Sequence, residues 1–552
     1  MPGEATSKQW RIAGFAVAAG VVAWWTVLAV RQIADGGFYS DDFAIQWDWD
    51  HLGYGGAVDA QFDALGSKPL LAFALPGAYE LFGADPTGHH VLAVALALAT
   101  AIAFYFVLRE LGFEPRDAVP IALLALMFPW ASGVRLWPTG SLNNLAVLLL
   151  FAGFLAALRG LRLEGPRRYL VHAGASALLA AAVLTYDATA VVAAMLWPAY
   201  VWRQGWRRAA PLALMDVAAV GAAIAYTRAT TNKDVREIGD QLAHIPDILA
   251  GGAKLVAASL VPASAPADLS VGVTVAVLAV ALGVLVVAAL RRRPAAGGGS
   301  PARPKWPLVA AVAVAALVLC WAVFVPQAFY TPTFRGLEDR VNVLALYPAA
   351  VLVWAVLRAA GGLLARHGYL VAAAGAVVIL TGYGIQDGRQ ERDWARAAEL
   401  QEPVLASVER APVPPGALVL VFGQPGETAP GVPVFNASWD LHPAALLRTD
   451  RSMHAYPVFE GARLKCAEDS LTMQRLPTPL YWVIFPAQRG TDRTQPYGNV
   501  IFVDAASGRS ELIASREQCE RGLEEFRPGP FSGDRLRPER DRRLGARLDS
   551  NQ

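Results

Sequence analysis

Two adjacent carboxylates, Asp41 and Asp42, stand in the segment Tyr39-Ser40-Asp41-Asp42-Phe43. They follow closely on a long apolar run and are flanked by aromatic residues. Neighbouring like charges repel, which raises the proton affinity of one member unless a cation or metal relieves it. Such a pair suits a general base, or a divalent-cation site for Mg or Mn, beside a polar substrate. Neither membrane anchoring nor packing calls for it. Where the pair lies relative to a bilayer therefore decides what it does.

The elements that must position the pair are mostly apolar. The chain has 552 residues, 55% of them hydrophobic and 17% charged, whereas soluble domains carry about 25% charged residues. A net charge of +2 gives no encouragement to nucleic-acid binding, and three cysteines form no metal motif. Residues 11–30 make an apolar run long enough to cross roughly 30 Å of hydrocarbon. It exceeds the apolar region of a signal peptide, about 7–15 residues, and reads as a retained first helix. About eleven spans follow from runs of this length, near 11–31, 88–109, 118–134, 142–158, 170–186, 188–202, 210–227, 270–290, 307–326, 342–358 and 368–386. Residues 69–82 are apolar but too short to span and read as interfacial or re-entrant.

Arginine and lysine collect in alternate loops, among them Arg109 and Arg116, Arg159 to Arg168, Arg203 to Arg208, and Arg291 to Lys305. Cytoplasmic loops carry this excess, so the N-terminus is expected inside. The first outer loop, 32–87, and the C-terminal region are then extracytoplasmic. That loop holds a series of aspartates from Asp35 to Asp63, with Lys68 its only lysine or arginine. Trp47 and Trp49 alternate with Asp48 and Asp50, as expected at headgroup level.

An N-terminal span, an outer loop beginning Tyr-Ser-Asp-Asp-Phe, Lys68-Pro69-Leu70, Leu81-Phe82-Gly83 and a new span starting at His89-His90 resembles the GT-C membrane glycosyltransferases. The likeness is to the branch of protein O-mannosyltransferases and aminoarabinose transferases, over roughly residues 10–230. Ser67-Lys68-Pro69 replaces His-Pro-Pro, and His89-His90 stand where arginine is common. The resemblance implies transfer of a sugar, with inversion, from a polyprenyl-phosphate donor to a glycan, lipid or protein acceptor of the cell envelope. It implies that Asp41 or Asp42 deprotonates the acceptor hydroxyl and orients it. The leaving group would be a lipid phosphate, so cations should stand near it: His89, His90, Arg135, Arg335 and Arg340. Arginine meets phosphate with a planar fork of donors; an ion pair with Glu338 or Asp339 is the competing role of Arg335 and Arg340. Asp187, on a hairpin turn, joins Lys68 and Asn143 as candidates for sugar or acceptor hydroxyls. For Asp187 helix capping competes, and for Asn143 helix entry.

The expected architecture is a polytopic α-helical membrane protein of GT-C type over 1–386, in the plasma (inner) membrane, with an extracytoplasmic α/β domain over 387–526 and a disordered tail over 527–552. Residues 391–410 read as a helix; 417–423, 481–485 and 500–503 read as strands. Cys466 and Cys519 are expected to pair in an oxidising compartment. A transporter or flippase, and a non-catalytic scaffold with an outer interaction domain, are the alternatives. The first needs polar residues inside spans, of which few are visible; the second leaves the acidic pair unexplained.

Overall fold

The computed structural model describes residues 3–231, 238–262, 269–291, 305–326, 330–364, 368–474 and 493–530. The expected strand at 481–485, most of the basic loop from Arg291 to Lys305, and the tail from 531 lie outside the described residues. Residues 527–530 are not free tail: Gly529 donates its N–H to Val458 and accepts from Glu460.

The helices, in chain order, are α1 (Gly3–Asp35), α2 (Asp41–Leu65), α3 (Pro69–Phe82), α4 (Pro86–Glu110), α5 (Pro115–Leu126), α6 (Gly133–Leu136), α7 (Pro138–Ser141), α8 (Asn143–Gly160), α9 (Pro166–Thr185), α10 (Thr189–Ala193), α11 (Leu196–Gln204), α12 (Trp206–Thr230), α13 (Ile238–Leu260), α14 (Val271–Leu290), α15 (Trp306–Ala322), α16 (Leu346–Leu363) and α17 (Gly368–Arg410). Proline opens α3, α4, α5 and α9, a position where its missing N–H has no intrahelical partner to lose. Among the described residues, seven helices are long and apolar enough to cross a membrane: α4, α8 taken from Pro138, α9, α12, α14, α16 and α17. The chain is a multi-pass membrane protein. The shorter apolar helices are α3 and α15.

Two expected spans are broken. The run 118–134 forms α5 only to Leu126, then a 3-10 turn at Pro129–Ala131 and the short α6 and α7. Pro129 and Pro138 each lack the N–H that a continuing helix needs. The run 188–202 divides into α10 and α11. Conversely, the expected span at 368–386 and helix at 391–410 are one helix, α17, 43 residues long. No glycine or proline falls between 387 and 391 to stop it except Gly388, which a helix tolerates at a cost of about 1 kcal/mol.

The chain divides into two compact units. The first comprises 1–34, 58–75 and 88–391, and the second 35–57, 76–87 and 392–552. The first unit has an apolar helical core that includes Trp130, Trp354, Phe104 and Tyr383. Within it, α8 packs on α9, and α9 on α12. Gly153 makes the first approach possible, since a Cβ there would meet Leu179 at 2.9 Å.

The second unit contains the strands β1 (Ala417–Phe422), β2 (Glu427–Ala429), β3 (Val432–Pro433), β4 (Met453–Pro457), β5 (Arg463–Cys466), β6 (Ser470–Gln474), β7 (Arg493–Pro496), β8 (Val500–Asp504) and β9 (Ser510–Ile513), with helices α18 (Ser438–Thr449) and α19 (Arg516–Glu525). The main sheet has the order β4-β1-β8-β9. β1 runs parallel to both β4 and β8, and β9 is antiparallel to β8. β1 is central, and all six of its residues are buried, as a strand covered on both faces requires. α18 is the crossover from β1 to β4. β5, β6 and β7 form a separate antiparallel sheet. Cys466 and Cys519 are disulfide-bonded, tying β5 to α19.

Candidate functional site

The acidic motif belongs to the second unit, and the first turn of α2 carries both of its carboxylates. Ser40 has φ +50°, a left-handed conformation that is uncommon for residues other than glycine. This sharp entry lets Asp42 reach back: its Oδ2 accepts the Tyr39 N–H at 2.8 Å, while the Asp42 N–H returns to the Tyr39 carbonyl at 3.1 Å. The two bonds close the turn that leads the chain into α2. Asp42 is wholly buried, and its backbone carbonyl accepts from the Tyr79 hydroxyl at 2.7 Å. Asp41 is half-buried, and its Oδ1 accepts from the Ser40 hydroxyl at 3.3 Å. The adjacent acids thus have different environments, although the sequence gives them equal standing.

The segment before α2 is held from several directions within the same unit. The Tyr39 hydroxyl donates to the Trp394 carbonyl and accepts from Gly37 N–H, both at 3.0 Å. Burial and the Asp42 charge push that phenol well above its usual range, so it remains a donor. Gln401 donates to the carbonyls of Phe38 and Val434. Phe43 packs on Phe435 at 5.6 Å between centroids. Trp439 donates from Nε1 to Ser40 Oγ at 3.4 Å. Gly37 admits the last turns of α17, since a Cβ there would stand 2.8 Å from the Ala398 Cβ. The second unit therefore brings the acidic motif onto the α/β region. Periodicity and loop charge carry no signal for that contact, because its partners are more than 350 residues away in sequence.

The first unit holds a cluster of cations and aromatic rings. Arg340 lies in the 3-10 turn Leu337–Asn342. On one side of it Asp339, fully buried, accepts from Ser132 N–H, the Ser132 hydroxyl and Gly133 N–H, each at 2.7 Å. Burial pushes Asp339 up to about 7, against the pull of these donors. On the other side Asn342 donates to the carbonyls of Trp130 and Thr333. The close fit needs Gly133, since a Cβ there would lie 2.6 Å from the Gly336 carbonyl oxygen. Between these clamps the Arg340 guanidinium lies 5.3 Å from the Trp137 ring centroid and donates to the Tyr330 hydroxyl at 3.2 Å. His244 fixes Tyr330 through its backbone carbonyl at 3.0 Å. The Lys68 ammonium stands 5.1 Å from the centroid of Tyr186, and the Tyr186 hydroxyl also feels the charges of Asp187 and Arg340. Lys68 thus faces the Tyr186 ring, and Arg340 faces the rings of Trp137 and Tyr330.

Other expected residues fall elsewhere. His89 and His90 are buried in the first turn of α4. Arg335 is half-buried in the loop ahead of the 3-10 turn. Asn143 spends its amide on the Gly140 carbonyl at 3.0 Å, the contact of a helix entry. Arg135 is committed to a buried bidentate pair with Asp387, both bonds at 2.8 Å. Trp47 stacks on His51, and Trp49 donates to Glu80. A cluster that hydropathy hides joins α9, α11 and α12: Asp216 accepts from the Ser176 and Tyr200 hydroxyls and faces His172. Among the described residues no group of three or more His, Cys, Asp or Glu could hold a metal ion.

No family model matches the chain, and no curated protein matches it. Among solved structures it is similar to ArnT from Cupriavidus metallidurans in the apo state, at 13% identity over 82% of this chain and 86% of that one, with a TM-score of 0.32. It is also similar to the Archaeoglobus fulgidus oligosaccharyltransferase tethered to an acceptor peptide containing the NVT sequon. There the identity is 11% over 79% of this chain and 64% of that one, with a TM-score of 0.36.

Proposed function

We propose that this protein is an inverting glycosyltransferase of the GT-C type. It moves a sugar from a polyprenyl-phosphate donor to an acceptor hydroxyl of the cell envelope, on the outer face of the plasma (inner) membrane. The observation that carries the reading is the division of labour in the acidic pair. Asp42 is buried and closes the turn into α2, while the half-buried Asp41 has the chemistry and setting of a general base. In this reaction Asp41 takes the proton of the acceptor hydroxyl as its oxygen attacks the anomeric carbon. The bond from that carbon to the phosphate oxygen breaks from the opposite side, and its electron pair stays on the lipid phosphate.

A departing phosphate needs positive charge, and fixed donors stabilise developing charge without reorganising. Arg340 and Lys68, framed by Trp137, Tyr330 and Tyr186, are the residues we assign to it, with Arg335, His89 and His90 as further contributors. Asp187 is assigned to a sugar or acceptor hydroxyl. The Cys466–Cys519 bond suits an oxidising compartment, and with the arginine-rich alternate loops it supports an extracytoplasmic α/β region.

The test uses membranes containing the full chain and a panel of radiolabelled polyprenyl-phosphate sugars, with release of polyprenyl phosphate as the readout. Transfer that is abolished by Asp41→Asn supports the reading. Full activity of Asp41→Asn, or no release from any donor by the wild-type chain, overturns it.

A further inference from the structure

We infer that the α/β region positions the Asp41 carboxylate through Trp439 and Ser40, making these two residues positioning residues for the transfer. The inference rests on the reading of Asp41 as the base. The indole N–H of Trp439 donates to Ser40 Oγ at 3.4 Å, and the Ser40 hydroxyl donates to Asp41 Oδ1 at 3.3 Å. A serine hydroxyl has one proton and two lone pairs. With the indole occupying a lone pair, the proton is left to point at the carboxylate. The relay therefore has a direction, from indole to hydroxyl to acid.

Each end of the relay is fixed by other bonds. Ser40 is held at φ +50° between the buried residues Tyr39 and Asp42. Trp439 is the second residue of α18, whose start is pinned by Asp440 accepting from the N–H groups of Asn436 and Ala437. The relay is not the segment's sole tie to the rest of the second unit. Tyr39 with Trp394, Gln401 with Phe38, and Phe43 with Phe435 hold the same segment independently. Both relay contacts are longer than an ordinary hydrogen bond, as is common for catalytic contacts before substrate binds. Their effect is accordingly a factor of about 3 to 10 in rate, not the loss of a base.

The experiment compares Trp439→Phe, Ser40→Gly and the double variant in the full chain, with polyprenyl phosphate released from radiolabelled polyprenyl-phosphate sugars as the readout. Glycine accepts the left-handed backbone without strain, and phenylalanine keeps the aromatic packing. Each single variant should lower kcat by about 3- to 10-fold with KM for the donor unchanged. The double variant should be no worse than Ser40→Gly, because the indole acts only through the hydroxyl. Wild-type kcat in Trp439→Phe, multiplied losses in the double variant, or a loss confined to KM would overturn the inference. If Asp41→Asn is inactive while Trp439→Phe is fully active, the base stands and only the relay falls. If Asp41→Asn keeps full activity, both fall.

Discussion

Replacing Asp41 and Asp42 one at a time should give two different defects. Asp41→Asn removes the base but not the shape. A positioned general base contributes about 10²–10⁴ in rate, or roughly 3–5 kcal/mol of transition-state stabilisation, so kcat should fall by that factor. Thermal stability should change little, because Asp41 is half-buried and asparagine keeps the shape of its side chain. Asp42→Ala does the reverse. It strips the Tyr39 N–H of the acceptor it holds at 2.8 Å in a place sealed from water. An unsatisfied buried donor costs about 1–3 kcal/mol. Asp42→Asn keeps an oxygen for that N–H and loses only the charge assistance, so its cost should be about 1 kcal/mol. The assay pairs donor turnover in membranes with thermal unfolding of the detergent-solubilised chain. An Asp42→Asn variant as inactive as Asp41→Asn, yet as stable as wild type, would refute this separation of roles.

Other outcomes follow from the same geometry. Arg340→Lys should raise KM for the donor about tenfold, since an ammonium keeps the charge but loses the guanidinium fork; an unchanged KM would remove Arg340 from the phosphate site. Gly133→Ala drives a Cβ to 2.6 Å from the Gly336 carbonyl oxygen and should cost about 1–3 kcal/mol in thermal unfolding, with Ser132→Gly milder. Reduction of Cys466–Cys519, which closes a loop of 53 residues, should destabilise the second unit by up to about 4 kcal/mol, read as a loss of protease resistance. Burial, with His454 and Arg493 nearby, pushes His442 from 6.5 down to about 4. As pH falls the unfolded chain takes up this proton first. Stability is therefore full above 6.5 and is lost between 6.5 and 4, by about 1–2 kcal/mol after allowance for solvent screening, and His442→Gln should flatten that slope.

Hydropathy alone located the long helices, because an apolar run of span length has few other uses. It placed α4, α8, α9, α12, α14, α16 and the start of α17 to within a few residues. It failed at 118–134, where Pro129 breaks an apolar run that is buried against protein and so reads like a span. It failed also at 391–410, where a charged helix simply continues an apolar one. The strands at 417–422 and 500–504 were legible because buried parallel strands are runs of branched apolar residues.

The chemistry was legible as residue types and not as roles. Local sequence singled out the acidic pair Asp41 and Asp42, and the family resemblance pointed to Lys68, Asp187 and Arg340. It did not rank Asp41 against Asp42, because adjacent identical side chains differ only in what the fold puts around them. A left-handed Ser40 turned the Asp42 carboxylate back onto the Tyr39 N–H and left Asp41 half-buried. Tertiary structure alone set Lys68 over Tyr186, Arg340 over Trp137 and Trp439 beside Ser40. Those contacts join residues over 100 positions apart, and such pairings arise from packing that no local pattern encodes.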